Sequence, residues 1–90
     1  WKPAIQAYLA CTAMVDDLIG QIVEALEKSP YADNTVIVLW SDHGFQLGEK
    51  GRWAKYSLWE RATRVNMIWV APGVTQPGST SARPVNLLDI

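Results

Sequence analysis

The sequence predicts an α/β fold for this chain of 90 residues. Three features carry the prediction: a long amphipathic helical stretch near the start, a buried strand in the middle, and a second strand further on. Their order along the chain (helix, strand, long loop, strand, helix start) is the order of elements in α/β proteins. Sheets of this class bind ligands outside the carboxyl ends of their strands, so functional residues are expected where the strands end.

The first predicted element is a helix over residues 4–28. Its apolar residues recur at spacings of three and four and form one stripe along the helix. Pro3 fits the first turn, because an N–H donor there would have no intrahelical partner. The helix is expected to end at Ser29, since the residue before Pro30 disfavours helical backbone.

Two strands and a long loop follow. Residues 35–40, TVIVLW, are continuously apolar and rich in β-branched side chains, which favours a strand covered on both faces. Residues 42–60 carry three glycines and predict an irregular loop. Residues 66–71, NMIWVA, predict a second strand, and Pro84 suits the first turn of another helix.

Composition excludes several classes of protein. The net charge is −1 and the basic residues are scattered, so no nucleic-acid partner is expected. No apolar run approaches the ~20 residues of a membrane span. The single cysteine, Cys11, leaves no internal disulfide and gives no indication of the compartment. The absence of an initiator Met before Trp1 leads us to expect a segment of a larger protein.

An acid and an imidazole follow the predicted buried strand. A carboxylate on Asp42 and a neutral imidazole on His43 are both competent metal ligands, and a turn at Gly44 could aim them at one ion. The alternative is that Asp42 caps a turn and His43 donates a hydrogen bond to a carbonyl. The chain has no HExxH or paired CxxC motif for zinc, and no GxxxxGK[ST] or GxGxxG phosphate loop.

The loop also carries a lysine between two aromatic residues. Lys55, in the run RWAKYS, could bind an oxyanion, or it could be an exposed cation lying over Trp53. Phe45 directly follows the Asp-His-Gly run and could line a ligand pocket or pack under the loop. Glu49 and Arg52 could reach a substrate from the same loop, but a salt bridge between them at the surface is expected.

With these residues in view, the run SDHGFQLGEKGRWAKYSLWERATRVNMIWVAPG (residues 41–73) resembles the carboxyl-terminal part of the catalytic domain of type I sulfatases. These enzymes belong to the alkaline-phosphatase-like superfamily, and the pattern DHG…LGE.G.WAKYS is most similar to the branch that contains iduronate-2-sulfatase. The resemblance implies an alkaline-phosphatase-like sandwich with helices packed on a largely parallel sheet. Residues 1–90 would be one segment of a single catalytic domain, without the part that carries the nucleophile.

The resemblance implies calcium-dependent hydrolysis of sulfate esters, on a sulfated small molecule, sugar or glycosaminoglycan. Asp42 and His43 would complete the calcium site, and Lys55 would bind the sulfate. Negative charge develops on peripheral oxygens during this reaction, and a divalent cation with a fixed lysine offsets it. Calcium takes six to eight oxygen-rich ligands, so this segment would supply only some of them. A secreted, periplasmic or lysosomal location is implied only by the family resemblance, and no residue of the chain indicates it.

The chain departs from the family pattern at several positions. The nucleophile of these enzymes is a formylglycine made from the Cys or Ser of a C/S-x-P-x-R motif, and that motif is absent here. Cys11 lacks the required arginine and is expected to be a small apolar filler. Asp16, within the helical stripe, is expected to be a hydrogen-bonded structural acid. Lys50 stands where the family often has His.

Two other functions remain open. A phosphate or phosphonate ester hydrolase of the same superfamily would bind its substrate with a similar metal and lysine. A paralogue that binds sulfated glycans without cleaving them would lack the nucleophile. The residue type of the nucleophile, which is expected outside this segment, would distinguish these two functions from a sulfatase.

Overall fold

The computed structural model describes all 90 residues, and its main elements follow the predicted order. The elements are helix α1 (Lys2–Glu27), strand β1 (Ile37–Trp40), strand β2 (Gln46–Leu47), strand β3 (Trp53–Ala54), helix α2 (Glu60–Thr63) and strand β4 (Met67–Val70). Three short 3-10 turns lie at Ala32–Asn34, Glu49–Gly51 and Leu87–Asp89. None of the helices combines the length and the apolar character that crossing a membrane would require.

The predicted loop over residues 42–60 is more regular than expected. It contains the hairpin β2–β3, in which Gln46 pairs with Ala54 and Leu47 pairs with Trp53. The helix predicted to start at Pro84 is limited to the 3-10 turn Leu87–Asp89.

The mixed helix and strand content is that of an α/β segment, but both strand pairs within the chain are antiparallel. In the larger pair, Ile37 of β1 lies opposite Val70 of β4, and Trp40 lies opposite Met67. Parallel strands need a long crossover, usually a helix. The connection from β1 to β4 contains instead the β2–β3 hairpin and the four-residue α2. The largely parallel sheet implied by the family resemblance is therefore not seen within these residues.

The buried core of the chain is small and lies around the loop. Only Gln46, Ala62 and Ala71 are buried, and α1 has no buried residue. Two aromatic contacts join Trp1, the residue before α1, and Tyr8 of α1 to the loop. The ring centroids are 5.2 Å apart for Trp1 and Trp53, and 5.1 Å apart for Tyr8 and Phe45.

Two expectations about α1 side chains are wrong for this structure. Asp16 is exposed and accepts no hydrogen bond, whereas the adjacent Asp17 accepts one from Gln21 Nε2 at 2.8 Å. Cys11 is exposed as well, so it fills no core. The physical reason is common to both: no other element within these 90 residues covers this part of the α1 surface.

Gly44 brings the loop against α2 at backbone distance. Its N–H donates to the carbonyl of Ala62 at 2.9 Å. A Cβ on Gly44 would lie 2.1 Å from the backbone oxygen of Arg61, so no side chain can be accommodated there. This contact fixes the residues on either side of Gly44 relative to α2 and β4.

We expect Gly44→Ala in the full-length protein to lower the free energy of unfolding by about 1–3 kcal/mol, because the new methyl group overlaps the α2 backbone. Gly20→Ala is the matched control. Gly20 lies within α1 with nothing within 4 Å of an added Cβ, so alanine should stabilise the helix by about 0.5–1 kcal/mol. Thermal unfolding of both variants tests this, and equal midpoints would contradict the close packing at Gly44.

Candidate functional site

The histidine after β1 is held in one tautomer by a hydrogen bond to the backbone of the next residue. His43 Nδ1 lies 2.8 Å from the carbonyl oxygen of Gly44. A carbonyl can only accept, so Nδ1 carries the proton and donates it. In the neutral ring the lone pair is then on Nε2. Ser41 Oγ donates to the backbone oxygen of His43 at 2.8 Å, which further holds this turn.

Asp42 and His43 point at one another rather than apart. His43 Nε2 lies 3.6 Å from Asp42 Oδ2, and the two side chains are 31% and 72% exposed. The Asp42 carboxylate accepts no hydrogen bond from the chain. Its oxygens and the lone pair of His43 Nε2 are therefore both free to bind a ligand that lies between the two side chains. A proton on Nε2 or a cation beside both groups would stabilise this arrangement.

The donor set fits a divalent cation only in part. A carboxylate oxygen suits calcium, whereas an imidazole nitrogen is more typical of transition metals. No group of three or more His, Cys, Asp or Glu side chains in the structure is placed to hold a metal ion. Asp42 and His43 could therefore supply two ligands, and most of a coordination shell would have to come from groups outside these residues.

Lys55 leaves the β2–β3 hairpin at a sharp turn of the backbone. Ala54, its neighbour, has a positive φ of 67°, and the N–H of Ser57 donates to the Lys55 carbonyl at 2.7 Å. The Lys55 side chain is exposed, and its ammonium forms no hydrogen bond or ion pair within the chain. Its charge is therefore available for an anion.

The cation–π contact in this loop is made by Lys50 and not by Lys55. Lys50 Nζ lies 3.3 Å from the ring centroid of Trp59, while Trp53 packs against Trp1. A contact at this distance is favourable and immobilises the ammonium over the ring. Lys50 is thus occupied by a structural contact.

Phe45 both packs and lines a groove. Its ring lies over Tyr8 of α1 with an interplanar angle of 30°, and the side chain is 38% exposed. The groove has a volume of about 860 Å³ and runs between α1, β1 and the loop, with His43 also in its wall. Both expectations for Phe45, packing and pocket lining, are compatible with this position.

The expected salt bridge between Glu49 and Arg52 is wrong. Glu49 Oε1 lies 3.7 Å from Arg61 Nε, and Oε2 accepts from the N–H of Leu47 at 2.7 Å. The approach of the loop to α2 at Gly44 brings Arg61 within reach. Hydrogen bonds from the backbone N–H groups of Glu49 and Leu47, followed by the charge of Arg61, lower the pKa of Glu49.

Sequence reasoning missed Gln46, the most buried side chain of the chain at 1% exposure. Its Oε1 accepts from Ser57 Oγ at 2.7 Å, and its Nε2 is buried without a partner. A single polar residue between Phe45 and Leu47 gives no signal of burial in the sequence. The hairpin alone places Gln46 beneath the turn that carries Lys55.

Comparisons with known proteins agree on one family. Residues 2–90 match the profile of the family described as Sulfatase. A protein named Sulfatase from Formosa agariphila is 51% identical over 90 residues, which is 100% of this chain and 18% of that protein. Human iduronate 2-sulfatase is 43% identical over 70 residues, 78% of this chain and 13% of that protein.

A third relative is also named for its action on a sulfated sugar. N-acetylglucosamine-6-O-sulfatase from Bacteroides thetaiotaomicron is 43% identical over 84 residues, 91% of this chain and 15% of that protein. The chain therefore spans less than a fifth of the length of these curated relatives. No solved structure gives a significant match.

The lowered pKa of Glu49 predicts a pH-dependent contribution to stability. The folded-state pKa lies below the ordinary value of 4.5, so ionised Glu49 stabilises the fold above that value, and the contribution is lost as pH falls through the folded-state pKa. Glu49→Gln should lower the thermal midpoint of the full-length protein near neutral pH.

At a pH below the folded-state pKa of Glu49, the midpoints of wild type and Glu49→Gln should converge. Glu27→Gln, at an exposed acid of α1 without an ion pair, serves as the control and should change little. A Glu49→Gln difference that is independent of pH would show that charge is not the cause.

Proposed function

The chain belongs to the sulfatase family, and we propose that it is the part of a sulfatase catalytic domain that helps to hold a calcium ion and the sulfate group of the substrate. The observation that carries the proposal is the β2–β3 hairpin. It follows directly on the Asp42–His43 pair and presents Lys55, with an unpaired ammonium, from the same loop. One continuous segment thus offers two cation ligands and one anion-binding cation.

Lys55 would act on the charge of the sulfate group. Cleavage of a sulfate ester increases negative charge on the oxygens around sulfur and on the departing ester oxygen. A lysine ammonium can donate charge-assisted hydrogen bonds to those oxygens. Lys55 has no partner within the chain that would have to be displaced first.

Asp42 and His43 would hold the calcium ion. The Nδ1 proton is committed to the Gly44 carbonyl, so Nε2 is the ring nitrogen that would face the ion. When bound, calcium would supply positive charge that favours the sulfate and its developing negative charge. The remaining ligands would come from other parts of the protein, since these two residues provide only a fraction of a calcium shell.

The nucleophile would also come from outside these 90 residues. The chain has no C/S-x-P-x-R motif, and Cys11 is exposed on α1 without the arginine that the motif requires. We therefore propose a formylglycine elsewhere in the protein, with the present residues binding and orienting the ester. The residues of this chain should not turn over substrate on their own.

The substrate we propose is a sulfated sugar or glycosaminoglycan. The support comes from relatives named iduronate 2-sulfatase and N-acetylglucosamine-6-O-sulfatase. The groove beside His43 and Phe45, about 860 Å³ in volume, has apolar and polar walls that could contact a ring next to the ester.

One lysine and one cation site do not distinguish sulfate from phosphate by charge alone, so the phosphate or phosphonate hydrolase stays as the second candidate. A nucleophile that is a bare Ser or Thr would favour phosphoryl chemistry. A protein with neither nucleophile nor further acidic ligands would favour the third candidate, the non-catalytic glycan-binding paralogue.

Replacing Lys55 by Ala should lower kcat/KM of the full-length protein for an aryl sulfate at least tenfold, which corresponds to ~1.4 kcal/mol of transition-state stabilisation. Lys2→Ala is the matched control, because Lys2 is also exposed and without an ion pair, yet lies at the start of α1. Rates would be measured with calcium and with chelator, on an aryl sulfate and its phosphate analogue. Preferential release of phosphate would support the second candidate.

Replacing Asp42 by Asn should weaken calcium binding to the full-length protein by about tenfold or more, because a neutral amide replaces an anionic ligand. Calorimetric titration with calcium measures the affinity. Asp16→Asn neutralises another exposed acid, on α1, and should leave the affinity unchanged. Equal calcium affinity for Asp42→Asn and wild type would remove Asp42 from the metal site.

A further inference from the structure

Gln46 is unusual because the most buried side chain of this chain is polar. It is 1% exposed, whereas every large apolar side chain remains at least partly accessible. Its Oε1 accepts a hydrogen bond of 2.7 Å from Ser57 Oγ, across eleven residues of sequence. Its Nε2 is buried with no acceptor. A buried amide with an unused donor is unfavourable, so its position calls for an explanation.

The two contacts of Gln46 lie on either side of Lys55. The backbone of Gln46 pairs with Ala54, the residue before Lys55. The side chain of Gln46 bonds to Ser57, two residues after Lys55. The turn between these anchors is tight, with a positive φ at Ala54 and a 2.7 Å hydrogen bond from the Ser57 N–H to the Lys55 carbonyl.

The rest of the turn offers little other support. Tyr56 is 88% exposed and Leu58 is 95% exposed, so neither side chain fixes the turn by packing within the chain. Ser57 is half-buried and carries the only side-chain hydrogen bond that ties the turn to β2. The Gln46–Ser57 hydrogen bond therefore holds the turn against β2 and sets the direction in which Lys55 leaves the hairpin.

We infer that Gln46 is a positioning residue, which acts through Ser57 to hold the Lys55 ammonium where it binds the substrate oxyanion. The inference rests on the proposed function of Lys55. Oxyanion stabilisation depends on donor placement, and a displacement of about 1 Å in a catalytic group can reduce the rate by about a hundredfold. Gln46 itself is too buried to touch substrate from solvent.

The test uses Ser57→Ala, Ser57→Thr and Gln46→Met in the full-length protein. Removing the Ser57 hydroxyl should lower kcat/KM for an aryl sulfate at least tenfold, and threonine, which keeps the hydroxyl, should restore most of it. Gln46→Met keeps the length of the side chain without its amide and should resemble Ser57→Ala. Ser29→Ala is the matched control. Ser29 is a half-buried serine whose hydroxyl donates to the Leu26 carbonyl at 2.7 Å and accepts from the Tyr31 N–H at 3.1 Å, and kcat/KM should not change when it is removed.

A double-mutant cycle distinguishes an effect on the position of Lys55 from a general loss of structure. If Gln46 and Ser57 act through Lys55, Ser57→Ala should have less than a twofold effect in the Lys55→Ala background. Full additivity of the two effects would overturn the inference, and so would a wild-type rate for both Ser57→Ala and Gln46→Met.

The same cycle is run on the affinity for inorganic sulfate, measured by calorimetry. A wild-type protein that binds sulfate but cleaves no sulfate ester would overturn the proposed hydrolysis, while the binding cycle would still decide the role of Gln46. Non-additive binding effects would support it and additive ones would overturn it. A wild-type protein that binds no sulfate would overturn both.

Discussion

The backbone N–H of Gly44 donates to the carbonyl of Ala62 across a gap that admits no side chain, and the geometry of the site follows from this contact. Asp42 and His43 precede it at the end of β1. The hairpin that leads to Lys55 begins directly after it. Because α2 is fixed to the loop at this point, Arg61 also lies 3.7 Å from Glu49, where its charge adds to the larger effect of the backbone N–H groups of Glu49 and Leu47 in lowering the pKa of Glu49. One backbone contact thus links the candidate metal ligands, the hairpin and the nearest ion pair.

Within these 90 residues, polar contacts hold the loop that carries the candidate site. Three residues are buried, and the most buried of them is Gln46. The helix α1 is attached to the loop mainly through the Tyr8–Phe45 and Trp1–Trp53 ring pairs. Side-chain and backbone hydrogen bonds have strict requirements of distance and angle, so they define positions more narrowly than apolar contacts do. This suits a loop whose proposed role is to direct charged groups.

The sequence was sufficient to predict the secondary-structure elements whose own residues carry a clear apolar pattern. The apolar stripe predicted α1 to within two residues at its start. The β-branched run predicted the strand β1, although Leu39 and Trp40 are exposed within these residues and the expected cover on both faces is not seen. The hairpin β2–β3 was missed because each strand has two residues, too few to show alternation. The antiparallel pairing of β1 with β4 was missed as well, since strand direction depends on how the intervening loop folds.

Candidate site residues could be named from the sequence, but their partners could not. The motif and its family resemblance indicated Asp42, His43 and Lys55, and the family itself is confirmed by the match over residues 2–90. The sequence left open a hydrogen bond from His43 to a carbonyl, and the structure shows one to the neighbouring Gly44. The Gln46–Ser57 hydrogen bond joins residues eleven positions apart, and such a tertiary contact leaves no mark in the sequence. The salt-bridge partner of Glu49 was mispredicted for the same reason.

The most direct test of this account is a crystal structure of the full-length protein with calcium and inorganic sulfate. We predict one calcium ion bound by Asp42 and His43 Nε2, with Lys55 Nζ within hydrogen-bond distance of a sulfate oxygen at the same site. A calcium ion bound elsewhere, or a sulfate at that ion with Lys55 directed into solvent, would contradict it.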